Sequence, residues 1–341
     1  MNATAAFLRR IAPQLVTLSA VLILIAMVFP GFFEISFANG RLYGSPIDIL
    51  NRGAPVALLA IGMTLVIATK GIDLSVGAVM AICGAVAAAS IHQGMGLFPA
   101  LALALGTGLL CGLWNGLLVA ILGIQPIVAT LMLMVAGRGI AQLITEGTIL
   151  TFTHQGLIFI GSGAFLGVPM PVLIWIATGL IVTFIVRRSA LGMLIEAIGV
   201  NPRASRLAGI NTRVLLIAVY MTSGLSAALA GVIAAADIRG ADANNAGLWL
   251  ELDAILAVVI GGTSLLGGRF SIVASLIGAM IIQAVNTGIL LSGFPPEFNL
   301  IIKAAIILII LVLQSPAMRT TFVFFRREKP TAKTDVETVA Q

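Results

Sequence analysis

Stretches of about twenty residues with almost no charge recur along the whole chain, and they limit the fold more than any other feature. The first, 14–33, contains no Asp, Glu, Lys or Arg. A helix rises about 1.5 Å per residue and the hydrocarbon core of a bilayer is about 30 Å thick, so about 20 apolar residues make one crossing. Ten such segments can be drawn, at 14–33, 53–69, 72–91, 98–122, 126–145, 169–186, 214–236, 253–266, 271–291 and 299–315. The expected fold is an all-α, polytopic membrane protein with about ten transmembrane helices. Residues 1–13 form a cytoplasmic N-terminus, 14–315 the transmembrane domain and 316–341 a polar cytoplasmic tail, disordered towards its end.

Composition excludes the other classes. Charged residues make up 9% of the chain and hydrophobic ones 60%, whereas a soluble domain carries roughly a quarter charged residues. The isoelectric point near 10.0 could point to nucleic acid, but the basic residues gather at the ends of apolar runs and no basic groove with interleaved aromatics occurs. Cys83 and Cys111 lie inside apolar runs and read as small buried hydrophobes, and His92 and His154 are isolated, so no metal site or cofactor is expected. The first run is too long for a signal-peptide core and ends in Phe-Pro-Gly-Phe-Phe rather than small residues.

Basic residues set the orientation, because Lys and Arg resist translocation. With the N-terminus inside, Arg9, Arg10, Lys70, Arg187, Arg188, Arg203, Arg206, Arg213, Arg269 and the tail residues Arg319, Arg326, Arg327, Lys329 and Lys333 fall on the cytoplasmic side. Only Arg41, Arg52 and Arg239 fall outside. Both termini are therefore placed in the cytoplasm, and the protein in a bacterial inner membrane.

The longest charged loop, 187–213, carries five arginines against the single Glu196. It contains its own helix punctuation. Asn201 can cap exposed N–H groups, Pro202 suits the first helical position and Gly209 suits a left-handed stop, so a short helix over about 202–208 is expected outside the membrane.

Polar residues inside the spans have two readings each. Gly108, Gly112 and Gly116 recur every four residues, a spacing that admits a close neighbouring helix or pairs two copies of the chain, and Asn115 shares that face as either packing adhesive or path residue. Gln283 and Asn286 lie about 60° apart on one helical face, with the same two readings. Arg138, Gln142 and Glu146 align at four-residue spacing, as a structural polar stack or a substrate-facing one. Lys303, near the outer end of its span, is expected to snorkel. No phosphate-binding loop, His-Glu-x-x-His or Gly-x-Ser-x-Gly occurs, so the chain is not an enzyme and cannot use ATP alone.

Several short motifs in order carry a family resemblance: Ile72-Asp73-Leu74-Ser75-Val76-Gly77-Ala78, Trp114-Asn115-Gly116, Arg138-Gly139, Ala197-Ile198-Gly199-Val200-Asn201, and Asp253-Ala254 followed by Val259-Ile260-Gly261-Gly262-Thr263-Ser264-Leu265. From about Asp48 to Gln314 the chain resembles permeases of the ribose-type sugar importer family of ABC transporters. One departure is Lys70, where that family usually carries Gly. The resemblance implies that the 202–208 helix is a coupling helix docking on a separate ATPase subunit, through Glu196, Gly199, Asn201, Pro202, Arg203, Arg206 and Gly209. Segments 40–52 and 236–251 further resemble those of galactofuranose importer permeases. That likeness implies that Arg41, Asp48, Arg52, Asp237, Arg239, Asp242 and Glu251 meet a periplasmic sugar-binding protein, although a solvated loop anchored by Trp249 is the simpler reading of those residues. It also implies a second, non-identical permease chain, with self-pairing as the alternative, while the polar positions in the spans offer Asn115, Arg138, Gln142, Gln283 and Asn286 as candidates for a substrate path. The competing class is an ion-coupled transporter of a small polar solute, for which Asp73 is the best coupling residue, although Asp73 can equally cap the third span.

Overall fold

The computed structural model describes residues 3–38, 40–293 and 296–314; the expected tail, 316–341, lies outside them. Helices dominate: α1 (Ala3–Val28), α2 (Ser45–Arg52), α3 (Ala54–Ala68), α4 (Val76–His92), α5 (Leu97–Ala120), α6 (Pro126–Ile144), α7 (Gln155–Ser162), α8 (Met170–Arg188), α9 (Leu191–Val200), α10 (Pro202–Leu207), α11 (Thr212–Asp237), α12 (Leu250–Ile260), α13 (Ile272–Leu291) and α14 (Pro296–Gln314). Three short antiparallel pairs join them: β1 (Ser36–Ala38) with β2 (Arg41–Tyr43), β3 (Leu150–Thr151) with β6 (Gly240–Ala241), and β4 (Ala164–Phe165) with β5 (Val168–Pro169). Strands of two or three residues leave no alternation to read in a sequence.

The centre of the fold is α3. Apolar residues surround it on every side, and a helix of that kind has no face to offer water. Every residue from Ala54 to Ala68 except Pro55 is buried, with α8, α11, α12 and α13 packed around it.

The glycine stripe of α5 is occupied within the chain. A Cβ added at Gly108 would lie 2.6 Å from Ala228 Cβ, one at Gly112 would lie 2.7 Å from Met221 Cα, and one at Gly116 would lie 2.9 Å from Ile217 Cα, all on α11. Backbone-to-backbone approach of this kind supplies helix packing in lipid, where burial of apolar surface drives nothing. Pairing of two copies through this stripe is thereby ruled out, because α11 already fills it.

Among the described residues six helices are long and apolar enough to cross a bilayer: α1 from Ile11, α5, α6, α8, α11 and α13. The pair α2 and α3, bent by 45°, makes a seventh if taken as one span. Three of the ten segments drawn from apolar length, those at α4, α12 and α14, are not among these. α4 has 17 residues and α12 only 11, and α12 stops at Gly261-Gly262, where Gly262 takes φ +83°.

Two sets of connections lie at opposite ends of this body. At one end Leu42 N donates to Gly167 O (2.9 Å), Arg41 Nη1 to Ser162 O (2.9 Å) and Phe152 N to Arg239 O (3.1 Å), so the loops around 35–44, 150–169 and 238–249 cluster. At the other, Lys70 Nζ donates to Val200 O (3.1 Å) and Gly268 N to Ala68 O (2.9 Å). Helices α3, α8 and α11 each run from one cluster to the other.

Candidate functional site

The end that carries Lys70 is built around α10, where the expected punctuation is found. Asn201 Oδ1 accepts from Arg203 N and Ala204 N, both at 3.1 Å, and Pro202 opens the helix. Ile210 N returns to Ser205 O (3.1 Å), with Gly209 at φ +82° closing the turn. Nothing lies within 4 Å of a Cβ at Gly209, so backbone conformation alone selects glycine there.

Gly199 is different. A Cβ there would strike Ala68 O and lie 2.5 Å from Gly268 N, so α9, the end of α3 and the α12–α13 loop meet backbone to backbone. Lys70, at φ 66°, holds the left-handed conformation for which glycine is the easy choice, and its Nζ bond to Val200 O ties that turn to the same junction. Arg203 and Arg206 are exposed, Arg206 Nε also donating to Thr212 Oγ1 (3.0 Å), and Leu207 (91% exposed), Leu266 (80%) and Val200 (69%) leave apolar side chains bare beside them. Glu196 lines a cleft of about 210 Å³ with Thr183, Arg187 and Phe270. Of the sequence-predicted coupling residues, Asn201, Arg203, Arg206 and Gly209 are exposed on or beside α10, whereas Gly199 is buried at the junction with α3.

At the opposite end the expected docking residues divide. Asp48, Arg52, Asp237 and Arg239 are exposed. Arg41 lies 5.6 Å from the Tyr43 ring centroid while bonding Ser162 O. Asp242 organises its own loop, accepting from Asn245 Nδ2 (2.7 Å), Asn244 N (3.0 Å) and Asn245 N (3.2 Å), bonds that hold its carboxyl below the usual range. Glu251 is the exception and corrects the expectation of a solvent-facing contact. It is 5% exposed, because Gly77 and Gly247 bring α4 and the start of α12 so close that a Cβ at Gly77 would lie 2.5 Å from Glu251 Oε2.

The polar residues assigned to a path also separate. Arg138 Nη1 donates to Ala243 O (3.2 Å) and to Ala246 O, and Gln142 Nε2 donates to Asn244 Oδ1 (2.8 Å), so both fasten α6 to the 242–247 loop. Glu146 does not continue this stripe, because α6 ends at Ile144 and Glu146 turns to φ 52°. Asn115 is 1% exposed and donates to Ser75 Oγ (2.8 Å). Ser75 Oγ donates to Asp73 Oδ1 (2.6 Å) and Ser223 Oγ to Asp73 Oδ2 (2.8 Å), a buried network joining the α3–α4 turn to α5 and α11. The Asp-x-Ser before α4 reads as a cap in the sequence, but Ser223 gives no sign there that it will meet Asp73.

Gln283 and Asn286 do come together, on the wall of a cavity of about 410 Å³ whose lining includes Asp48, Arg52, Trp249, Asp253 and Lys303. Lys303 does not snorkel. Its Nζ sits 2.6 Å from the Asp253 carboxylate, forming the one ion pair among the described residues. Sequence reasoning missed this partner and read Trp249, which takes φ 64° at the start of α12 and remains 54% exposed, only as a loop anchor.

A family model described as branched-chain amino acid transport system / permease component matches residues 45–311. The chain is 63% identical over 303 residues to the galactofuranose transporter permease protein YtfT of Escherichia coli (strain K12), covering 89% of each chain. It is 38% identical to the fructose import permease protein FruF of Bifidobacterium longum (strain NCC 2705), over 95% of this chain and 94% of that one. It is 40% identical to the ribose import permease protein RbsC of Escherichia coli (strain K12), over 88% of this chain and 92% of that one.

Proposed function

Because the chain belongs to the family of branched-chain amino acid transport system permease components, we propose that it is the membrane subunit of an ATP-driven galactofuranose importer, fed by a binding protein outside and driven by a separate ATPase inside. The wide gap in identity between the galactofuranose permease and the fructose and ribose permeases carries the choice of sugar. The same relatives, all named permease proteins and two of them import permeases, weigh against an ion-coupled transporter, and they are transport subunits rather than enzymes.

The α9–α10 surface is the proposed ATPase dock. Exposed Arg203 and Arg206 flank bare Leu207 and Val200, a combination that suits an acidic, partly apolar partner surface. The exposed Asp48, Arg52, Asp237 and Arg239, with Asp242 between them, are the proposed contacts of the binding protein. Together with a second permease chain this subunit would enclose the path. We further propose ten crossings in a bacterial inner membrane with both termini cytoplasmic, with α4, α12 and α14 as additional crossings.

Two measurements test this reading. Deleting 201–209 should abolish co-purification of the ATPase while the chain still inserts; undiminished recovery would place docking elsewhere. Reporters fused after Arg206 and near Lys329 should read cytoplasm and those near Gln155 and Gly240 periplasm. A periplasmic signal at Arg206 would remove the dock.

A further inference from the structure

We propose that the cavity bounded by α2, α12, α13 and α14 is a transient sugar station, in which the Gln283 and Asn286 amides bond the hydroxyls of a neutral monosaccharide lying against the Trp249 ring. The proposal rests on the importer reading and adds the place where the sugar first leaves its binding protein.

Gln283 carries the argument. It lies in α13, a helix long and apolar enough to span the bilayer, and is only 9% exposed. It has no hydrogen-bond partner among the described residues, and neither has Asn286 one turn further along. Their amide groups are not sealed inside protein but open into a cavity that both residues line, so whatever occupies that space meets them. At about 410 Å³ the cavity falls within the roughly 300–1,000 Å³ typical of small-molecule sites.

The wall also selects the class of occupant. Its buried charges, Asp253 and Lys303, neutralise each other at 2.6 Å. At the rim Asp48 and Arg52 are of opposite sign. The uncharged bonding capacity that remains is the two amides with the Ser45 and Thr287 hydroxyls, groups that both donate and accept and so match hydroxyl groups rather than an ion. Trp249 adds a flat apolar face, and its bulky side chain is held at a backbone conformation that such residues rarely adopt. Strained residues of this kind cluster at ligand clamps. Two amides and one ring make a weak site, as a path that must release its cargo requires.

The test uses the full assembly in vesicles, with ATPase inside and binding protein outside. The double variant Gln283→Leu/Asn286→Leu keeps side-chain size and removes the amides. Uptake should fall roughly tenfold or more, two lost hydrogen bonds at about a few-fold to tenfold each, while binding-protein-stimulated ATP hydrolysis is retained. Trp249→Phe should keep most of the uptake that Trp249→Ala loses. As a check independent of the double variant's folding, Asn286→Cys should react with a polar maleimide from outside and be protected by millimolar monosaccharide. Unchanged uptake in the double variant, equal uptake in the two Trp249 variants, or labelling indifferent to sugar would overturn the station while leaving the importer reading intact. If the unsubstituted assembly moves no monosaccharide, the importer reading itself fails and the station with it.

Discussion

Gly199→Val is expected to abolish uptake in a chain that still inserts into the membrane. Position 199 has no room for a side chain: the first carbon would fall on Ala68 O and reach to 2.5 Å from Gly268 N. Those two groups are already hydrogen-bonded to each other at 2.9 Å. Neither can rotate away, because both belong to backbone. Overpacking of this kind costs about 1–3 kcal/mol, and the strain is released most easily by lifting α9 off the end of α3. Since α10 follows α9 after the single residue Asn201, the proposed coupling helix would tilt with it. Uptake and ATPase recovery should fall together, while a reporter near Gly240 is unaffected. Gly209→Ala supplies the contrast. Its Cβ meets open space, so only the left-handed conformation is penalised, by about 1–2 kcal/mol. A Gly199→Val chain that transports normally would show that the α3–α9 junction does not set the position of α10.

The second large effect concerns Asp253 and Lys303. Their side chains are 8% and 15% exposed and 2.6 Å apart, joining α12 to α14 across 50 residues of sequence. Removing one partner of a buried pair leaves an uncompensated charge and costs about 3–5 kcal/mol, whereas replacing both by apolar residues is often nearly neutral. Lys303→Met should therefore lower unfolding stability in detergent sharply. Lys303→Met combined with Asp253→Leu should recover most of the loss. A double variant as unstable as the single one would mean that the pair acts through packing rather than charge.

The legible part of this protein was the part written locally. Apolar runs longer than a bilayer is thick announce helices wherever they occur, and α10 was readable because Asn201, Pro202 and Gly209 act within a few residues of one another. Even Lys70, a departure from the family's glycine, became intelligible once its φ of 66° was known. Long-range pairing was not legible. The spacing of Gly108, Gly112 and Gly116 promised a close helix without saying that it would be α11. Glu251 looked like a surface acid because nothing near it in sequence shows that Gly77 closes over it. The stripe through Arg138 and Gln142 was real, but helical projection continued it to Glu146 past the end of α6. Lys303 offered no hint of Asp253, and the cavity that gathers Gln283, Asn286 and Trp249 exists only once α2, α12, α13 and α14 are assembled.

The central claim is that this chain passes galactofuranose inward at the expense of ATP hydrolysed by a partner. It is tested most directly in vesicles that hold the chain with its ATPase and a second permease chain, ATP trapped inside and the binding protein outside. Galactofuranose should accumulate, and collapsing proton and sodium gradients should leave its uptake largely unchanged. Uptake that continues without ATP and stops when those gradients collapse would contradict the account.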